Sequence, residues 1–177
     1  MLNSWLGRIT SRLSRKDRAR GPSTTDAALI AQPAATGDQL HAAGTAKGWL
    51  RVLQAKQLLA HLHAEAALDA TWRQSRLAFV VWERDLLTAI ERYAQFVQLM
   101  PASESHHHAH AGGLLAHTLE MVLAAMTWRN GHFLPSGAAI EQIDEERDVW
   151  TYVVFFAALL HDIAKPLTDL RIHWRAA

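Results

Sequence analysis

The chain has 177 residues, half of them hydrophobic and a fifth charged. That allows one domain of ordinary size with a tail, and excludes both a long multidomain architecture and a wholly disordered chain. Lys+Arg 18 against Asp+Glu 17 leaves a net charge of +1, so attraction to a polyanion has to be local. The chain has no cysteine, which removes disulfide scaffolds, thiolate zinc sites and cysteine nucleophiles together, and a metal has to sit on His and carboxylate.

From Met1 to Arg20, the positive residues Arg8, Arg12, Arg15, Lys16, Arg18 and Arg20 face only Asp17, while Leu2, Leu6, Ile9 and Leu13 recur at helical spacing. This basic amphipathic pattern suits an anionic membrane surface, nucleic acid, a partner protein or a transit peptide, and equally a frayed, solvated extension. Residues 21–47 are rich in Ala, Thr, Gly and Pro with almost no large apolar groups, the composition of a flexible linker. The folded domain is expected over 48–177.

Trp49, Val52, Leu53, Leu59 and Leu62 predict a first helix that ends in the Ala-rich stretch before Asp69. Phe79, Trp82, Leu86, Ile90, Tyr93, Val97 and Met100 predict a second, ended by Pro101. Gly112-Gly113 opens a third, with Leu115, Leu119, Val122 and Met126 on one stripe, and Asn130-Gly131 closes it. Phe133 to Glu146 holds Pro135, Gly137 and several acids and reads as a connection. Trp150 to Leu160 is apolar except for Thr151. That run is far short of the ~20 residues that span a bilayer, so it reads as a buried fourth helix. The expected fold is all-α, and no glycine-rich phosphate loop appears.

Two segments carry residues suited to chemistry. One is Ser105-His106-His107-His108-Ala109-His110-Ala111-Gly112-Gly113-Leu114-Leu115-Ala116-His117-Thr118, and the other is Leu159-Leu160-His161-Asp162-Ile163-Ala164-Lys165. Imidazole and carboxylate suit Mn, Fe, Zn or Ni, or Mg through carboxylate and water. On the third helix His117 lies off the leucine stripe, beside Met121, Ala124 and Ala125, so both faces of that helix are expected to be buried. On the fourth, Val154, Ala157, Ala158 and His161 share a side. Small residues there would let the two helices approach closely enough for His117, His161 and Asp162 to share one ion. Glu120, one turn after His117, reads as an orienting group or a surface acid.

A helical His, then His-Asp at the end of an apolar helix with Lys three residues later, resembles the HD superfamily of metal-dependent phosphohydrolases. More narrowly, three runs in this order resemble the N-terminal TraI-type domain of MOBH-class conjugative relaxases. They are Leu99-Met100-Pro101-Ala102-Ser103-Glu104-Ser105-His106-His107-His108, Gly112-Gly113-Leu114-Leu115-Ala116-His117-Thr118 and His161-Asp162-Ile163-Ala164-Lys165-Pro166. The likeness extends over roughly Gly48 to Arg175.

The resemblance implies an HD-type helical bundle in which His117, His161 and Asp162 ligate a divalent ion (Mn, Fe or Mg). It places His107 and His108 at the metal site or the phosphate, and Lys165 near the substrate phosphate. It implies cleavage of DNA at a transfer origin by a bacterial cytoplasmic protein, with DNA and other conjugation proteins as partners and no transmembrane segment. The alternatives are another HD phosphohydrolase, such as a 3′-to-5′ exoribonuclease or a nucleotide phosphodiesterase, or a non-catalytic DNA- or partner-binding fragment. The HD pattern ends with a further Asp on a later helix, and Asp169 comes too soon after the doublet to fill that place. The bundle is therefore expected to be truncated on its C-terminal side, which leaves open whether the chain is itself an enzyme.

Overall fold

The structure, a computed structural model, describes residues 51–103 and 107–168. The expected basic segment 1–20, the linker 21–47, and His106 and Asp169 lie outside the described residues. The first predicted helix is in fact two. Helix α1 (Ala55–His61) and α2 (Glu65–Ser75) meet at a break where His63 takes a left-handed φ of 50°. Leu53 is buried, but from an extended segment rather than a helix. Its N–H donates to Gln98 Oε1 at 2.9 Å and its carbonyl accepts from Gln98 Nε2 at 3.0 Å. Val52, which the helical spacing places on the stripe, is 84% exposed. Nor does helix stop before Asp69, which instead accepts from Arg73 one turn on, at 2.6 Å.

The second predicted helix keeps its apolar stripe but not a uniform winding. Helix α3 (Phe79–Val81) passes into a π-helical segment (Trp82–Leu87) and then into α4 (Thr88–Val97). Trp82, Leu86, Ile90, Tyr93 and Val97 are all buried. The helix ends before Pro101 is reached, because Gln98 adopts φ 51° and turns its amide onto Leu53.

Helix α5 (Gly113–Asn130) begins and ends where its glycines predict. Gly131, however, has φ −85°, so no left-handed glycine closes the helix. Asn130 fixes the end instead, its Nδ2 donating to the carbonyl and side-chain oxygens of Gln74 at 2.7 and 2.8 Å. The expected connection contains a short helix, α6 (Ile140–Glu145), which no apolar period announces because it buries no residue. Helix α7 (Arg147–Leu160) matches the predicted apolar run, and α8 (Lys165–Thr168) follows a turn at 161–164.

Helix α5 is the centre of the packing, with α2, α4 and α7 against it. Its Leu114, Leu115, Val122 and Met126 are fully buried. Each such side chain contributes about 1.5–3 kcal/mol by leaving water, so the helix that carries His117 cannot shift without disturbing the core. One side of α5 stays open, contrary to expectation: Met121 is 40% exposed and Ala124 is exposed as well. Across the α5–α7 contact, Ala158 is buried while Ala157 faces solvent, so the close approach rests on Ala158. Phe155 packs edge-on against Trp82, with ring centroids 6.3 Å apart. Among the described residues the fold is all-α, with no strand, and no helix is long and apolar enough to cross a membrane.

Candidate metal centre

The histidine loop is held to the core by its own backbone. Gly112 N–H donates to Leu99 O and Leu114 N–H to Met100 O, both at 2.9 Å, and Ala102 N–H donates to His108 O at 3.0 Å. These bonds hold 107–113 against 99–102, and His108 takes φ 58°. A left-handed non-glycine residue costs about 1–2 kcal/mol, here opposed by the hydrogen bonds that close the loop. The Gly-Gly pair is explained by the same packing. Gly112 has φ 80°, and a Cβ on Gly113 would lie 1.9 Å from the carbonyl oxygen of His108. One glycine is required by conformation, the other by contact.

From this turn and from α5 and α7, imidazole and carboxylate groups converge. His161 Nδ1 lies 2.7 Å from Ala158 O. A carbonyl only accepts, so Nδ1 carries the hydrogen, and in the neutral ring the Nε2 lone pair faces outward. His161 Nε2 lies 3.3 Å from His117 Nε2 and 3.2 Å from Asp162 Oδ2, and His117 Nε2 lies 3.7 Å from the same oxygen. The circumscribed radius of that triangle is about 2.0 Å, so a single point sits at ordinary metal–ligand distance from all three donors. Burial pushes His117 below the usual histidine range, reinforced by His161 and opposed by Asp162. The neutral ring is the form a metal requires.

A second group adjoins the first. His108 Nε2 meets Glu120 Oε2 at 3.0 Å, and the His108 and His117 ring centroids are 5.6 Å apart. His108, His117 and Glu120 also lie close enough to hold an ion, sharing His117 with the first group. Glu120, one turn after His117, is half-buried and pairs with His108. Lys165 Nζ stands 2.8 Å from Asp162 Oδ2 and donates to Ala102 O at 3.1 Å, which ties the His-Asp turn to the histidine loop. His107 is exposed and belongs to neither group. The structure therefore brings His108, His117, His161, Asp162 and Lys165 together and leaves His107 at the surface.

The TraI_2 family, described as "Putative helicase", matches residues 48–175. The chain belongs to this family. The matched span of this TraI-type domain includes every helix described above and both histidine-bearing segments. No curated protein and no solved structure matches the chain.

One polar cluster of the TraI-type domain has no signal in the sequence. Arg84 Nε and Nη2 donate to the two carboxylate oxygens of Asp85 at 2.6 and 2.8 Å, and the Tyr152 hydroxyl, 67 residues away in sequence, also donates to Asp85. Arg84 first and Tyr152 second hold the Asp85 carboxyl down to about 2. Tyr152 therefore sits at a polar edge rather than inside the apolar run. Tyr93 is buried as its stripe predicts, with its hydroxyl 2.8 Å from Thr118 Oγ1.

Proposed function

We propose that this chain is the TraI-type domain of a MOBH-class conjugative relaxase within the HD superfamily, acting in the bacterial cytoplasm on phosphodiester bonds of transfer-origin DNA. Its partners are that DNA and other conjugation proteins. In this reading His117, His161 and Asp162 hold one divalent ion, Mn, Fe or Mg. The supporting observation is the convergence of His117 Nε2, His161 Nε2 and Asp162 Oδ2 within 3.7 Å of one another. The donor set fits: two imidazoles and one carboxylate, with no thiolate, suit a hard or borderline cation.

A divalent ion bound there supplies Lewis-acid polarisation of a phosphoryl oxygen. The protein's own residues do the positioning. Ala158 O fixes the His161 tautomer, and Glu120 holds the His108 ring beside His117. Lys165, bonded to Asp162 and Ala102, brings a positive charge to the rim, where a phosphate would be attracted. A nucleotide-driven motor finds no support in these residues, since the sequence has no glycine-rich phosphate loop.

The test is cleavage of supercoiled plasmid carrying the transfer origin, in the presence of Mn and after chelation. We expect nicking at one position, abolished by chelation and reduced at least ~100-fold in His117→Ala, the scale on which loss of a metal-site residue acts. Processive release of mononucleotides would instead assign the site to an exonuclease of the same superfamily. Cleavage that His117→Ala leaves unchanged would sink the metal-site reading.

A further inference from the structure

Beside the His-Asp turn, α4 and α7 leave an open cleft of about 470 Å³ that the metal-site chemistry does not use. It falls within the ~300–1,000 Å³ range of small-ligand clefts. Phe96, Phe156, Leu159, Leu160 and Ala89 give it apolar walls, and Arg84, Asp85 and Arg92 are the charged residues that line it. Its position relative to the metal site is fixed at two points. Ile163 follows Asp162 directly in the chain, and Tyr93 bonds to Thr118, the neighbour of His117.

Three observations point to a ligand. Phe96 keeps 44% of its surface exposed at the edge of the cleft, although an aromatic ring normally gains by burial. Arg84 and Asp85 belong to the π-helical segment, a winding uncommon in proteins and frequent at functional sites. Finally, Asp85 is matched by Arg84 and Tyr152, so the exposed Arg92 leaves the lining with a net positive charge.

We propose that this cleft is a nucleobase subsite, which takes one base of a single-stranded polynucleotide against Phe96 and Phe156 while Arg92 meets the adjoining phosphate. This rests on the reading of the neighbouring histidine–aspartate group as a phosphodiester-cleaving centre. An apolar pocket rimmed by guanidinium matches the two halves of a nucleotide, a flat π-face and an anion. A purely apolar partner would gain nothing from Arg92 and would have to desolvate it.

The test uses the full chain and two labelled probes, an oligothymidylate of about 12 nucleotides and the same strand built entirely from abasic sites, followed by fluorescence anisotropy over a salt series. The wild type should bind the thymidylate more tightly than the abasic strand. Phe96→Ala should lose at least about fivefold on the thymidylate, the lower end of what removing one base stack costs, and nothing on the abasic strand. Arg92→Gln should weaken both and lower the salt slope by about 0.7.

Unchanged thymidylate affinity in Phe96→Ala would overturn the proposal, as would a wild type that binds neither probe. So would a Phe96→Ala effect confined to sedimentation, which would make the cleft a contact between copies. Mn titration of the same variants separates the two readings. Cleft variants that keep Mn affinity but not strand affinity support the subsite. A chain that binds Mn through His117 yet is indifferent to Phe96 and Arg92 loses the subsite alone.

Discussion

Asp162→Ala should lower Mn affinity at least ~100-fold and leave the helical fold standing. Asp162 Oδ2 serves three neighbours at once: His161 Nε2 at 3.2 Å, His117 Nε2 at 3.7 Å and Lys165 Nζ at 2.8 Å. Removing it takes away the only carboxylate in the group of His117, His161 and Asp162, and with it the negative charge that draws a cation there. The fold should tolerate the loss because Lys165 keeps 31% of its side chain in solvent and can return to water. Calorimetric Mn titration, with circular dichroism on the same sample, measures both halves. Full affinity in the variant would mean that the ion binds elsewhere, and a collapsed fold would mean that Asp162 is a structural residue first.

Gly113→Ala should be the most damaging Gly→Ala change among the described residues, at about 3 kcal/mol or more of stability. The added Cβ would meet a backbone oxygen, His108 O, at 1.9 Å. That oxygen cannot swing aside like the tip of a flexible side chain, since it also accepts from Ala102 N–H at 3.0 Å. Relief requires the loop to move, and His108 moves with it, away from Glu120 and His117. Gly131→Ala is the internal control. Its Cβ would come no closer than 3.4 Å to any neighbour, and φ there is −85°, so its cost should stay within about 0.5 kcal/mol. Urea denaturation of the two variants side by side decides the point. Equal costs would show that the Gly-Gly pair is a matter of helix initiation rather than of contact with the histidine loop.

The helices that carry the candidate ligands were legible because their signals are local and redundant. In α5, Leu115, Leu119, Val122 and Met126 repeat at the helical period, and all four are buried. The apolar run of α7 announces a core helix, but only Thr151, Phe155, Ala158 and Leu159 are buried, while Val153 and Leu160 are 48% and 44% exposed. What escaped was set by contacts distant in sequence. The end of α4 is decided by Gln98 reaching Leu53, 45 residues back, rather than by Pro101. The exposed side of α5 depends on which neighbours α5 receives, which no periodicity reports. His117, His161 and Asp162 could be grouped from helix faces and the small residues Ala157 and Ala158, of which only Ala158 is buried, whereas the exposure of His107 and the pairing of Asp85 with Tyr152 could not. The Gly-Gly pair lies between these cases. Two adjacent glycines announce a constraint, but that one serves φ and the other a carbonyl contact is visible only in the packed loop.

The central claim is that His117, His161 and Asp162 share one ion, and anomalous scattering from crystals grown with Mn tests it most directly. The predicted result is a single strong peak about 2.0–2.2 Å from His117 Nε2, His161 Nε2 and Asp162 Oδ2 together. A peak seated on His108 and Glu120 without His161, or no peak near the His-Asp turn at saturating Mn, would contradict it.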